Sequence, residues 1–108
     1  MSLKDVQDDV DKWASQFIPK YWSPHEIVAR LAEETGEVAR EINHLFGPKK
    51  KKDNEAKKEL QDELIDVLFT VVCMANSQGI DLQEAWDKVM QEKHYGRDAN
   101  RFKKDPSS

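Results

Sequence analysis

One stretch constrains this chain more than any other. Between Leu60 and Ala75, apolar side chains stand at Leu60, Leu64, Val67, Leu68, Val71, Val72, Met74 and Ala75, and Ile65, Phe69 and Cys73 carry the apolar surface round most of a helix. A helix of that kind must be covered on more than one side. In a chain of 108 residues it is either the central rod of a bundle or a seam between subunits. A chain this short lies near the lower size for a self-sufficient core, so part of the covering is expected from a second copy.

The remaining segments read as helices too. Leu3, Val6, Val10, Trp13 and Phe17 recur at steps of three and four, predicting a first helix from Ser2 to about Ile18, stopped by Pro19. The second opens on Ser23, with Pro24 at its first position and Glu26 three after the cap, a capping box. Ile27, Val28, Leu31, Val38, Ile42, Leu45 and Phe46 follow, and Gly47-Pro48 ends it. After the basic loop Lys49 to Asp53, the third helix begins at Asp53 or Asn54 and runs to about Gln78, with Gly79 as its stop. A fourth opens with Asp81 and Glu84, carries Leu82, Ala85, Trp86, Val89 and Met90, and is expected to end at Gly96. No strand-like alternation competes. The expected fold is all-α and four-helix-bundle-like, with its core completed by oligomerisation, one domain over residues 1–99 and a polar tail over 100–108.

Several function classes fall away. The 17 basic against 21 acidic residues leave a net charge of −4, so no stable nucleic-acid binding is expected. The single cysteine, Cys73, excludes a disulfide framework within one chain and suits a reducing compartment. The nearly apolar run Val67 to Ala75, nine residues broken by Thr70, is too short for a bilayer, which needs about 20. Met1-Ser2-Leu3-Lys4-Asp5 has no apolar signal core, and a cytoplasmic location without membrane attachment is expected.

The chemistry lies in carboxylates. With Leu31 as zero, Glu34 falls roughly 60° and Glu37 roughly 120° away on one flank, and Glu33 at about 200°. From Leu60, Glu63 and Asp66 fall at the same two angles on the same flank. The two helices align at an offset of 29 residues: Leu31, Glu34, Glu37, Val38, Ile42 and Leu45 match Leu60, Glu63, Asp66, Val67, Val71 and Met74. Antiparallel packing would bring both pairs to one cavity. Two unit charges 4 Å apart repel by about 4 kcal/mol at an effective dielectric of 20, so either some carboxylates protonate or a cation sits among them. Oxygen-only donors favour Mg²⁺, Mn²⁺ or Ca²⁺, and Mg²⁺ is commonly held by a few carboxylates together with substrate phosphates. A solvated face accounts for Glu33, Arg40 and Glu41, but poorly for Asp66, set between Ile65 and Val67.

These residues resemble a known family. Glu33-Glu34-Thr35-Gly36-Glu37, followed after 25 residues by Glu63-Leu64-Ile65-Asp66, is similar to the E-E-x-x-E … E-x-x-D signature of the MazG-like, all-α nucleoside triphosphate pyrophosphohydrolases. The likeness extends over about Trp22 to Arg97. It implies Mg²⁺-dependent cleavage of nucleoside triphosphates, ribo or deoxy, between the α and β phosphates, Mn²⁺ being a possible substitute. It implies Glu34, Glu37, Glu63 and Asp66 as metal ligands, Glu33 or Glu37 as the carboxylate orienting a water, and a homodimer or homotetramer.

Other candidates are less sharply marked. Lys88, Lys93 and Arg97 lie where the family places phosphate-binding cations, although Glu92-Lys93-His94-Tyr95-Gly96-Arg97-Asp98 departs from its commoner Lys, Asn, Arg order. Phe17 and Trp22, near the start of the second helix, are candidates for stacking on a base; Trp13 is assigned to the core stripe. Lys49 to Lys52 is read as a solvated loop, Cys73 as a small core residue, His25 and His44 as surface or helix-end residues, and Asn76 and Ser77 as polar contacts or helix-end residues. Three competing functions share the scaffold: a phosphoribosyl-ATP pyrophosphohydrolase-like enzyme, a non-catalytic helical oligomerisation or regulatory module, and a di-iron bundle. The last needs two Glu-x-x-His pairs, and only Glu41 to His44 fits.

Overall fold

The structure is a computed structural model describing residues 1–48 and 53–107. It is all-α, with four helices and no strand among the described residues. The helices are α1 (Leu3–Ala14), α2 (Pro24–Phe46), α3 (Asp53–Ser77) and α4 (Leu82–Val89). The basic loop Lys49 to Lys52 lies outside the described residues.

The caps follow from local chemistry. Ser23 accepts from the Glu26 N–H while the Glu26 carboxylate accepts from the Ser23 N–H, the reciprocal box expected from sequence. Ser2 and Asp5 repeat the arrangement on α1. At the end of α3, Gly79 takes φ +67°. Its N–H donates to Asn76 O and the Ile80 N–H to Ala75 O, so two orphan carbonyls are satisfied by a Schellman turn that favours glycine.

Two boundaries differ from expectation. α1 stops at Ala14 rather than about Ile18. A tighter turn follows, with Phe17 N–H donating to Ala14 O, because a residue preceding proline is steered out of the α region. Beyond α4 the backbone does not stop at Gly96. It continues as a π-helical stretch over Met90–Arg97 and a short 3₁₀ turn over Asp98–Asn100.

α2 and α3 run antiparallel, since Glu34 lies near Glu63 and Asp66 while Glu41 lies near Glu59. α1 crosses the C-terminal half of α3, pinned by buried polar groups. Gln7 Nε2 donates to Asn76 Oδ1 and Ile80 O, both at 2.8 Å, and its Oε1 accepts from the Leu82 N–H at 2.8 Å. Asn76 Nδ2 returns a bond to Gln7 O at 3.0 Å. One amide thus ties α1 to α3 and to the start of α4, and Asn76 serves as a polar contact rather than a fraying end. The helical stretch from Leu82 turns 106° away from α3.

The core is small: among the described residues, Val10, Ala14, Ile27, Leu45, Val72 and Ala75 are the apolar side chains it buries. Leu64, Leu68 and Val71, one stripe of α3, stay exposed, as do Ile65, Trp86 and Val89. No single described helix is long and apolar enough to cross a membrane.

Candidate active site

Three of the four predicted metal ligands converge. Glu34 on α2 and Glu63 and Asp66 on α3 each offer a carboxylate oxygen, and these atoms lie within 4.8 Å of one another. Glu34 is buried, Glu63 half-buried and Asp66 exposed. Oxygen-only donors in this number suit Mg²⁺ or Mn²⁺. The fit is also electrostatic. The Glu63 carboxyl is held above its ordinary range, first by burial and then by the charges of Asp66, Glu34 and Glu37, with Arg40 acting in the opposite direction. Three carboxylates close together with one arginine paired to Glu34 leave negative charge that a divalent ion would offset.

The fourth predicted ligand stands slightly apart. Glu37 is outside the converging group and turns Oε2 to Arg40 Nη2 at 2.7 Å. Glu33 is exposed, away from the group, as its helical angle requires.

Beside the carboxylates opens a cavity of about 510 Å³ with a mostly apolar wall. Glu34 and Asp66 belong both to the acidic group and to this wall. Phe17 and Trp22 line it, as the sequence suggests for base-stacking residues. Trp13 does too, and is half-exposed rather than core. Its ring lies 4.9 Å from Phe17 and 5.4 Å, edge-on, from Phe69, so three aromatic faces meet on one side. The buried stripe of α1 runs through Val10 and Ala14 on either side of Trp13, whose ring turns to the cavity instead. Cys73 lines the cavity instead of filling the core, and burial pushes its thiol up.

The segment carrying these rings is anchored. Tyr21 OH donates to Asp11 Oδ1 at 2.7 Å and accepts from Asn76 Nδ2 at 3.0 Å. Lys20 Nζ reaches the same carboxylate at 2.9 Å. Burial and the Asp11 carboxylate push the Tyr21 hydroxyl up to about 12. Asp11 is lowered by the hydrogen bonds it accepts from Tyr21 and Lys20.

The cations beside the carboxylates are arginines of α2 itself, which the motif spacing does not mark. Arg30, one turn before Glu34, places Nε 2.9 Å from Glu34 Oε1. Its guanidinium carbon lies 5.8 Å from the centroid of the Trp22 ring, and it lines the cavity. Arg30, Glu34 and Glu37 fall at i, i+4 and i+7, a signal the sequence does contain. Lys88, Lys93 and Arg97 are exposed and do not line the cavity of their own chain; Arg97 pairs with Asp98 at 3.2 Å.

A second polar group sits further along the same helix pair. Glu41, assigned by sequence to a solvated face, is 1% exposed, with His44 Nδ1 at 3.2 Å and Arg40 Nε at 3.8 Å. With Glu59 it forms another set whose ligand atoms lie within 4.8 Å. His44 is half-buried beside it; His25 is exposed.

Comparison with known proteins gives the family. The family model of the MazG nucleotide pyrophosphohydrolase domain matches residues 22–102. The chain is 48% identical over 101 residues to Bacillus subtilis YpjD, covering 94% of this chain and 90% of that protein. It is 33% identical to Bacillus subtilis YvdC, with 79% and 89% covered. A crystal structure of YpjD, described as a pyrophosphatase candidate, superposes with a TM-score of 0.77 over 86% of this chain and 95% of that one. A Bacillus-conserved MazG protein, described as a nucleotide pyrophosphohydrolase, superposes at 0.73 with 38% identity, covering 100% and 97%. With this match and these relatives, the chain belongs to the MazG nucleotide pyrophosphohydrolase family.

Proposed function

We propose that the protein hydrolyses nucleoside triphosphates, ribo or deoxy, to the monophosphate and pyrophosphate in a Mg²⁺-dependent reaction. One observation carries the reading: Glu34 and Asp66 are shared between a carboxylate cluster and the wall of an aromatic cavity large enough for a nucleoside. Phosphates and base therefore have adjoining places. Glu34, Glu63 and Asp66, with Glu37 beside them, would hold the ion, and Mn²⁺ would substitute. When bound, Mg²⁺ neutralises phosphate charge and acidifies a water. Phe17 and Trp22, with Trp13, would sandwich the base and exclude water from it. A water attacks the α-phosphorus in line; the new P–O bond forms as the bond to the α,β-bridging oxygen breaks, and pyrophosphate leaves. Glu37 or Glu33 would orient that water and accept its proton.

The exposed α3 stripe supports assembly as a homodimer or homotetramer. The Cα radius of gyration is 17.3 Å, where a compact chain of about 100 residues has about 13 Å. Burying Leu64, Ile65, Leu68 and Val71 against a second copy would complete the core, with residues 1–99 acting as one unit and 100–108 as a tail. Lys88, Lys93 and Arg97 would reach the outer phosphates across that interface, and the enzyme would act in the cytoplasm.

The test is a panel of common and modified nucleotides with Mg²⁺, products identified by mass. Monophosphate plus pyrophosphate from at least one of them is the expected outcome. Orthophosphate release unaffected by Glu37→Gln, or a melting temperature raised no more by Mg²⁺ and nucleotide than by matched salt, would overturn the reading and favour a non-catalytic module.

A further inference from the structure

We propose that Arg30 is a place-holding cation, neutralising Glu34 while the site holds no divalent ion and transferring to a substrate phosphate when the ion takes that carboxylate. The inference rests on the nucleotide-hydrolysis reading and adds to it a residue and an order of events.

The starting geometry is asymmetric. Glu34 is the most buried carboxylate of its cluster, its side chain 10% exposed, while the Arg30 side chain is 50% exposed. The ion pair thus joins a fixed acceptor to a movable donor. Arg30 Nε takes Glu34 Oε1, an oxygen of the same carboxylate that faces Glu63 and Asp66. A divalent ion bound among the three carboxylates competes directly with the guanidinium, because both draw on one carboxylate charge. A doubly charged ion with three carboxylate partners outcompetes a half-solvated guanidinium with one.

The released side chain has somewhere to go. Its guanidinium lies against the Trp22 ring, on the cavity wall between the carboxylates and the aromatic pocket. A nucleotide with its base in that pocket and its phosphates at the carboxylates must pass along this wall. A planar guanidinium there presents paired N–H donors to two phosphate oxygens, a geometry an ammonium does not reproduce. Arg30 would thus keep the empty site from self-repulsion and then return its charge to the substrate.

The two halves predict changes of opposite sign, which a merely structural role would not produce. Calorimetric titration of Mn²⁺ into the nucleotide-free protein should show Arg30→Gln binding the ion about threefold or more tightly than wild type, since the competitor is gone. The Mg²⁺ complex of the α,β-imido analogue of the nucleotide that wild type hydrolyses fastest should bind Arg30→Gln about tenfold or more weakly. Arg30→Lys should sit near wild type for Mn²⁺ and between the two for the analogue, since it keeps the charge and loses the fork. Equal or weaker Mn²⁺ binding by Arg30→Gln overturns the place-holding half, and unchanged analogue binding overturns the transfer half. Parallel loss of both would make Arg30 a structural support and overturn the proposal. A wild-type protein that binds neither Mn²⁺ nor nucleotide would instead overturn the parent reading, so the two failures are distinguishable.

Discussion

The α2–α3 pair carries two polar clusters of similar composition, about 10 Å apart along the helix axis, and they are built oppositely. Glu34 and Asp66 line a cavity with Glu63 beside them, and burial together with the neighbouring carboxylates holds Glu63 above its usual range. Glu41 lies buried with His44 and Arg40 against it, outside the lining of the aromatic cavity. The first cluster stores repulsion at a place a ligand can enter; the second satisfies a buried charge within the fold. Convergence of ligand atoms does not by itself separate a candidate site from a strut. Access and unbalanced charge do.

Asp66→Asn is the sharpest way to break that contrast. It should reduce turnover at least about 100-fold while leaving the melting temperature unchanged or higher, because it removes a ligand and a repulsive charge together. Circular dichroism melts alongside pyrophosphate release check both halves. Glu41→Gln should do the reverse. It should cost about 1–3 kcal/mol of stability by weakening the contacts that His44 and Arg40 make with a buried side chain, with turnover within about threefold of wild type. Loss of activity from Glu41→Gln without loss of stability would make the second cluster part of the site.

The response to pH is smaller and has a fixed sign. The folded protein holds the Glu63 proton more tightly than the unfolded chain does, so this group's contribution to stability is fully present below its ordinary value of 4.5 and is lost as pH rises through the raised folded value. Ion binding requires the ionised form. Mn²⁺ affinity should therefore fall as pH drops through that same value, by up to about tenfold per unit, and Glu63→Gln should flatten the dependence. A Mn²⁺ affinity independent of pH between 7 and 4, taken roughly as the titration range of such a carboxyl, would place the ion elsewhere.

Gly36 gives the smallest effect. A Cβ there meets nothing within 4 Å, so Gly36→Ala should stabilise α2 by about 0.5–1 kcal/mol in denaturant melts. Destabilisation would mean that a second copy's backbone approaches at that point.

Much of this contrast is written in the sequence, but not all in the same way. Helical angle placed Glu34, Glu63 and Asp66 together because angle and facing helix are both set by local periodicity. The same arithmetic puts Glu41 at roughly 80° from Leu31, between Glu34 and Glu37. Polarity suggests a solvated face for Glu41, and its angle is the better guide. Trp13 shows the converse. It continues the apolar stripe of α1, yet its ring, edge-on to Phe69 of α3, faces a cavity while the next residue, Ala14, is buried. Where Lys88, Lys93 and Arg97 point depends on the 106° turn after α3 and on the π-helical stretch beyond α4. Non-local packing sets both, and one-dimensional spacing does not encode it. Nor does it encode that Arg30 reaches across Trp22, which depends on how the anchored segment after α1 folds back.

The central claim is that the three carboxylates beside the aromatic cavity, and not the Glu41, His44 and Glu59 group further along, form the ion site. Anomalous diffraction from crystals grown with Mn²⁺ tests it most directly. A peak about 2 Å from oxygens of Glu34, Glu63 and Asp66 is the predicted result. A peak held by Glu41, His44 and Glu59, with the first cluster empty, would contradict it.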